Sequence, residues 1–265
     1  MSKYLLCLVF ATSILDAASI TDAHAGLTDS ASMVRLTGKW KFIAMDRPEV
    51  AASQYDDSKA PLLNVESEWR LQGVDHRANA WLRLKVSIPE SFYNKDLGLM
   101  VPPVSSASEV YFNGQLIGHV GPLGQQGEPD AAHTTFKLYQ IPARVVNTGS
   151  ENTLAIRVRQ YQGIAGLFGN NYLYLGEYGV VHDHYLALFF GMVVLAAAFC
   201  VIGLYHLILF LARRIETEYF YFGLIALGTG LHQLSMNGIM QHMTTNRPLN
   251  QIFTMRVICV LSASL

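Results

Sequence analysis

Residues 185–212 contain no Asp, Glu, Lys or Arg, and Arg213 and Arg214 follow at once. A helix of that length, at about 1.5 Å per residue, exceeds the roughly 30 Å hydrocarbon core of a bilayer. Few water-soluble folds can cover so long an uncharged run, so the stretch predicts a transmembrane helix over 185–212. A second apolar stretch predicts another over 219–240. A third, 250–265, is shorter than a full span and carries Arg256, which would sit at the interface or face a neighbouring helix. The expectation is a multi-pass membrane chain, truncated within its third helix.

Residues 1–25 have the layout of a secretory signal: Lys3 as a positive start, an apolar run from Tyr4 to Leu15, and Ala23-His24-Ala25 as a small-x-small cleavage motif. Export would place a domain over 26–181 in the periplasm of a bacterial cell. The first helix would then end in the cytoplasm at Arg213 and Arg214, the side that the positive-inside rule independently assigns to them. The membrane in question is the bacterial inner membrane.

Whole-chain averages hide this division. Of the 265 residues, 51% are hydrophobic and 15% charged, an average over an ordinary domain and very apolar helices. The net charge is −1, with no block of consecutive Lys and Arg beyond the pair 213–214. That leaves no electrostatic footprint for nucleic acid. Cys7 falls in the leader, and Cys200 and Cys259 fall in the predicted helices. The mature periplasmic domain would therefore contain no disulfide and depend on its own core.

Between residues 36 and 179 the periodicity is that of strands. Leu82, Leu84, Val86 and Ile88 alternate with Arg83, Lys85 and Ser87, and Leu154, Ile156 and Val158 alternate with Arg157 and Arg159. Asn113-Gly114 between two apolar runs predicts a two-residue type I′ hairpin, because both residues tolerate φ > 0. Further strands are expected over 39–44, 97–101, 136–141 and 172–175. Short strands with Gly and Pro punctuation predict a β-sandwich or jelly roll. Two Gly-containing polar stretches, 121–133 and 162–171, are either ligand-holding loops or long connections. His182-Asp183-His184 reads as a polar collar at the membrane interface or, short of a closed ligand set, as part of a metal site.

No catalytic grammar appears. There is no G-x-S-x-G, metalloprotease helix, P-loop or Rossmann glycine pattern. Asp56, Asp57, Glu66, Glu68, Glu109 and Asp130 show no spacing that would mark a general acid and base. The chain is expected to be no enzyme and to hold no metal or other cofactor. Sugars are held by aromatic faces and forked guanidinium contacts. Trp81, Arg83, Arg157, Arg159 and Tyr161 are therefore the candidate ligand-binding residues, provided the polar faces of their strands line a concave sheet; a solvated outer face is the other reading of Arg83 and Arg159. Trp40 and Trp69 read as packing residues. His206 and His232, costly in lipid, are expected to face other helices.

Four segments in order, residues 38–42 (GKWKF), 80–89 (AWLRLKVSIP), 108–121 (SEVYFNGQLIGHVG) and 151–158 (ENTLAIRV), resemble the sugar-binding jelly-roll domain of β-galactosidase- and β-glucuronidase-type glycoside hydrolases. Residues 205–227 (YHLILFLARRIETEYFYFGLIAL) resemble the junction of the first two helices in bacterial seven-transmembrane receptors with diverse intracellular signalling modules. The two resemblances imply a galactose-binding-like ectodomain ahead of a helix bundle: the N-terminal sensor portion of a signal-transduction receptor. Its ligand would be a carbohydrate or related small molecule, and a homodimer is compatible. The output domain such receptors carry after seven helices does not occur in these 265 residues. The other reading is a membrane-anchored, non-catalytic carbohydrate-binding module associated with a glycosidase.

Overall fold

The computed structural model describes residues 23–67, 69–74, 79–102, 107–121, 136–159, 173–214 and 216–236. They form a β-sandwich and two helices. The larger sheet runs β4 (Leu62–Asn64), β3 (Lys39–Ile43), β5 (Asn79–Ile88), β10 (Ser150–Arg159), β7 (Ala107–Phe112) and β8 (Gln115–Val120), with β1 (His24–Gly26) pairing in parallel against β5. The smaller sheet runs β2 (Met33–Arg35), β11 (Tyr174–Glu177), β6 (Leu97–Val101) and β9 (Lys137–Ile141). Helix α1 spans Tyr178–Ala212 and α2 spans Thr217–Met236.

The alternation in the sequence becomes the division between faces, because successive side chains in a strand point to opposite sides. Leu82, Leu84, Val86 and Ile88 of β5, Leu154, Ile156 and Val158 of β10, and Val110 and Phe112 of β7 point between the sheets. They meet Leu97, Leu99 and Val101 of β6, Ile141 of β9 and Leu175 of β11. Trp40 and Trp69 belong to this core, with Trp69 packed edge-on against Phe42. The Asn113-Gly114 turn has φ of 51° and 81°, the left-handed conformation a type I′ hairpin requires. Asn113 is fixed there by its side chain, which donates to the Val145 carbonyl at 2.8 Å and accepts from the Thr153 N–H at 2.8 Å.

The structure departs from the sequence reading in three places. β1, β2 and β4, of three residues each, carry too short a pattern to be read from alternation. The expected leader boundary after Ala25 runs through β1, where Ala25 is buried and pairs with Val86, so cleavage there would remove two residues from the sheet. Finally, the helix starts at Tyr178, inside the domain drawn over 26–181, and absorbs the expected link to the first span, including His182, Asp183 and His184. The second helix starts at Thr217, and residues 237–265, with the third apolar stretch, lie outside the described residues.

α1 is 35 residues long and is, among the described residues, the one helix long and apolar enough by those criteria to cross a membrane. α2 packs along it through small residues. A Cβ placed on Gly203 would meet the Leu227 nitrogen at 2.6 Å and the Gly223 oxygen at 2.9 Å; one on Gly230 would meet Cys200 Sγ at 2.6 Å. Glycines at such contacts let two backbones approach closely. His206 satisfies its Nδ1 on its own helix, at 2.9 Å from the Ile202 carbonyl, and lays its ring 4.5 Å from that of Phe222 on α2.

Candidate functional site

Strand register places the outward residues of the larger sheet in two transverse rows. The first reads Ile43, Trp81, Arg157, Glu109 across β3, β5, β10 and β7; the second reads Lys41, Arg83, Ala155, Tyr111. Ala155 is the smallest residue of the eight, between Arg83 and Tyr111, and it is fully buried. The stretch 45–60 folds back over this face, and its short 3-10 turn Pro48–Ala51 seats Val50 and Ala51 against Ile43, Trp81 and Ala155. A second, small apolar cluster thus forms on the outside of the sheet.

Both arginines are tied to that stretch. Arg83, with 1% of its side chain exposed, donates from Nε to Asp57 Oδ2 at 2.8 Å and from Nη1 to the carbonyls of Val50 and, at 3.0 Å, Ala52. Its guanidinium lies 5.5 Å from the centre of the Tyr55 ring. Arg157 bridges Asp46 of the covering stretch and Glu109 of β7, the latter at 3.0 Å, and lies 5.8 Å from the Trp81 ring. Burial opposes the charge of Arg157, but its two carboxylate partners outweigh burial and raise its pKa. Burial, together with the bond from Tyr111 Oη to Glu109 Oε2 at 2.8 Å, pushes the Tyr111 phenol up to about 12.

The five candidate ligand residues therefore fare differently. Trp81 and Arg83 lie beneath the covering stretch and cannot be reached from outside in this conformation. The reading of Arg83 as part of a solvated face fails for the same reason: 45–60 supplies one carboxylate and two carbonyls that take the guanidinium out of water. Arg157 is three-quarters or more covered and doubly paired, and Arg159 sits half-buried at the end of β10. Tyr161 and the two Gly-rich stretches, apart from Gly121, lie outside the described residues. Trp81 Nε1, Arg83 Nη2 and Arg157 Nε are buried donors of this face with no hydrogen-bond partner among the described residues. Sequence reasoning missed the cover. Its signal was an apolar Val50-Ala51 pair flanked by Asp46 and Asp57, ahead of strands that carry outward arginines. The carboxylates read as background act as ion-pair partners: Asp57 with Arg83, Glu109 with Arg157, Glu66 with Arg35. Among the described residues no group of three or more His, Cys, Asp and Glu side chains is placed to hold a metal.

The other outer face, that of the smaller sheet, is covered by the start of α1. Met33, Met100, Phe136 and Tyr174 pack with Val181, and Tyr185, Leu188 and Met192 flank them. Close approach depends on glycine: a Cβ on Gly98 would come within 2.9 Å of Val181 Cβ and 3.3 Å of Tyr178 Cα. β11 ends at Glu177 and α1 begins at the next residue, whose N–H donates to the Asp96 carbonyl at 3.0 Å. No tether separates sandwich and helix.

No protein-family model matches the chain, and no curated protein matches it. Solved structures do. A Bacteroides uniformis β-glucuronidase is similar over 55% of this chain and 18% of its own, with 19% identity and a TM-score of 0.44. A glycosyl hydrolase family 2 member from Bacteroides cellulosilyticus is similar over 55% of this chain and 20% of its own, with 16% identity and a TM-score of 0.43. A β-glucuronidase from Ruminococcus gnavus is similar over 48% of this chain and 21% of its own, with 20% identity and a TM-score of 0.36. This chain thus spans about a fifth of the length of each of the three.

Proposed function

We propose that the chain is the N-terminal sensor portion of a bacterial inner-membrane receptor. A galactose-binding-like jelly roll in the periplasm would take a carbohydrate or related small molecule and pass the event to a multi-pass helix bundle. The observation that carries this reading is the junction. A ligand shifts a protein only by binding two of its states differently, and the shift reaches the membrane only through a stiff connection. The direct passage from Glu177 to Tyr178, with Gly98 packed under Val181, supplies such a connection. A module that merely anchors a sugar-binding surface has no need of it. Arg159, with Tyr161 beyond it in the chain, is the ligand contact this reading favours; Trp81, Arg83 and Arg157, which is paired with Asp46, would join it only if 45–60 lifted.

The test uses the full chain in lipid nanodiscs against a panel of mono- and oligosaccharides, followed by thermal melting and amide exchange. A sugar at 100 times its dissociation constant stabilises the folded state by about 2.7 kcal/mol. Stabilisation together with altered exchange in residues 178–192 is the expected result. Stabilisation with exchange changes confined to the sandwich would favour the anchored carbohydrate-binding module. No response across the panel would remove carbohydrate as the ligand.

A further inference from the structure

α1 lies along the sandwich in one direction, and that direction fixes which end of the domain meets the lipid. Val181 sits over Gly98, near the start of β6, while the Tyr185 ring packs edge-on at 5.3 Å against Phe136, which precedes β9. Val101 pairs with Lys137 and Leu97 with Ile141, so the helix travels toward the end of the smaller sheet where β6 finishes and β9 begins. Tyr174, at the start of β11, pairs with Met100 near that same end, and its ring is 4.9 Å from that of His184.

The larger sheet has the same polarity. Asp96, just before β6, accepts from the Ala143 N–H, and two residues on the Val145 carbonyl accepts from Asn113 Nδ2, so the Asn113-Gly114 turn lies at the end where β6 begins. The start of β7 is therefore at this end, where β6 finishes. Ala107 pairs with Arg159 and Ser108 with Val120, which brings the end of β10 and the end of β8 there too. The opposite end carries the Asn113-Gly114 turn, the Ile88–Ser150 pair and the Asp96 carbonyl that receives the first N–H of α1. The helix thus begins at the far end and runs the length of the sheet.

Length then sets the membrane plane. Among the described residues, Met192 is the last apolar side chain of α1 packed against the sandwich. At about 1.5 Å per residue, residues 178–192 cover roughly 22 Å, about the length of a six-residue strand. Beyond Met192, residues 193–212 are as many as the 20 of α2, which lies beside them. Twenty helical residues measure about 30 Å, the thickness of the hydrocarbon core. Their flanks are right for it: Val194, Val201, Leu204, Ile208 and Leu211 are exposed apolar residues, and Arg213 closes the far side. Tyr185 stands just above one boundary and Tyr219 at the other, the depth where amphipathic rings gather. The two stretches together account for all 35 residues of α1.

Resting on the membrane-anchored reading above, we infer that the sandwich sits directly on the bilayer. The end formed by Val101, Ala107, Val120, Phe136, Arg159 and Tyr174 faces the lipid headgroups, and the Asn113-Gly114 end points away. The partner of this surface is the phosphate-bearing headgroup layer, toward which the exposed His119 and half-buried Lys137 are placed. The outer face of the larger sheet, with its covering stretch, then stands side-on to the membrane and open to the periplasm.

Spin labels on single cysteines of the full chain, in a background with Cys7, Cys200 and Cys259 all changed to Ala and in nanodiscs containing nickel-chelating lipid, test this. Lys137→Cys and His119→Cys should relax severalfold faster than Thr148→Cys, which marks the far end. Equal relaxation at all three, or fastest relaxation at position 148, would overturn the orientation. Leu204→Cys, read with oxygen as relaxant, separates the two ideas. If Leu204→Cys is in lipid and position 137 is remote from the nickel, the helix bends away and the inference alone falls. If position 204 is in water, the membrane reading falls and takes the orientation with it.

Discussion

The sandwich has two outer faces, and the chain covers both of them with its own residues by opposite means. Over the larger sheet the cover is a mostly polar stretch tied down by charge around a small apolar seat of Val50 and Ala51: Asp57 and two carbonyls hold Arg83, and Asp46 holds Arg157. Over the smaller sheet it is a helix held by shape: methionine, phenylalanine and tyrosine against Val181 and Tyr185, with glycine where the backbones meet. A guanidinium–carboxylate pair keeps its strength only while both partners stay out of water. An apolar helix face has no such alternative partner. The first cover is therefore expected to loosen when its ion pairs are broken, and the second when its apolar fit is disturbed.

The largest expected effect lies on the charged side. Arg83→Met would leave Asp57 and the carbonyls of Val50 and Ala52 without their donor, and breaking a buried pair by removing one partner costs about 3–5 kcal/mol. Urea unfolding should register that loss. Amide exchange should rise across 45–60 while residues 178–192 stay protected. If both regions open together, the two covers are one cooperative unit and the contrast between them is wrong.

A smaller effect is expected on the apolar side. Gly98→Leu would drive a side chain into Val181 and the Tyr178 backbone, and overpacking of this kind typically costs about 1–3 kcal/mol. The exchange pattern should invert, with 178–192 exposed and 45–60 protected. Gly176→Ala makes a control at the same face, because its Cβ would meet the Ser32 carbonyl at 2.3 Å and Met33 Cα at 2.6 Å. It should loosen β2 before it loosens the helix.

These two covers also mark the limit of what was legible in the sequence. The inner faces could be read directly: alternation at Leu82 to Ile88 and at Leu154 to Val158 gave strands and their core side, and Asn113-Gly114 gave a hairpin with its turn type. The first apolar helix was legible from its uncharged length. The covers were not, because each depends on pairing across sequence. Arg83 is 26 residues from Asp57 and 33 from Val50, and nothing local in AWLRLKVSIP says that an outward arginine will be roofed. Likewise Val181 reads as the approach to a membrane helix and Tyr185 as its first residue, and the close contact at Gly98 of β6 makes them a layer of the sandwich. Outward residues of a strand take their environment from whatever packs on them, so Trp81 could be read as a ligand platform and yet be fully buried.

The smallest effect separates charge from shape at a single residue. Asp96 accepts from the Ala143 N–H at 2.8 Å and from Gln140 Nε2 at 2.6 Å through its carboxylate, while its backbone carbonyl takes the first N–H of α1. The Ala143 bond, then the Gln140 bond, hold its carboxyl below the ordinary value of 3.8. A carboxyl depressed in the folded state contributes stability above its unfolded pKa and loses it as pH falls through the folded value, because the unfolded chain takes up the proton first. Asp96→Asn should therefore lower stability slightly at pH 7, and the difference from the unaltered chain should begin to shrink near pH 4 and vanish once the pH is below the folded value. Urea titrations at several pH values measure that difference. Exchange in residues 178–192 should not change at any of them, since the carbonyl that starts the helix belongs to the backbone and survives the substitution. A gap that persisted in acid would mean that the side chain acts there by packing. An opening of the helix would mean that charge, and not the glycine-bounded fit, holds α1 to the sheet.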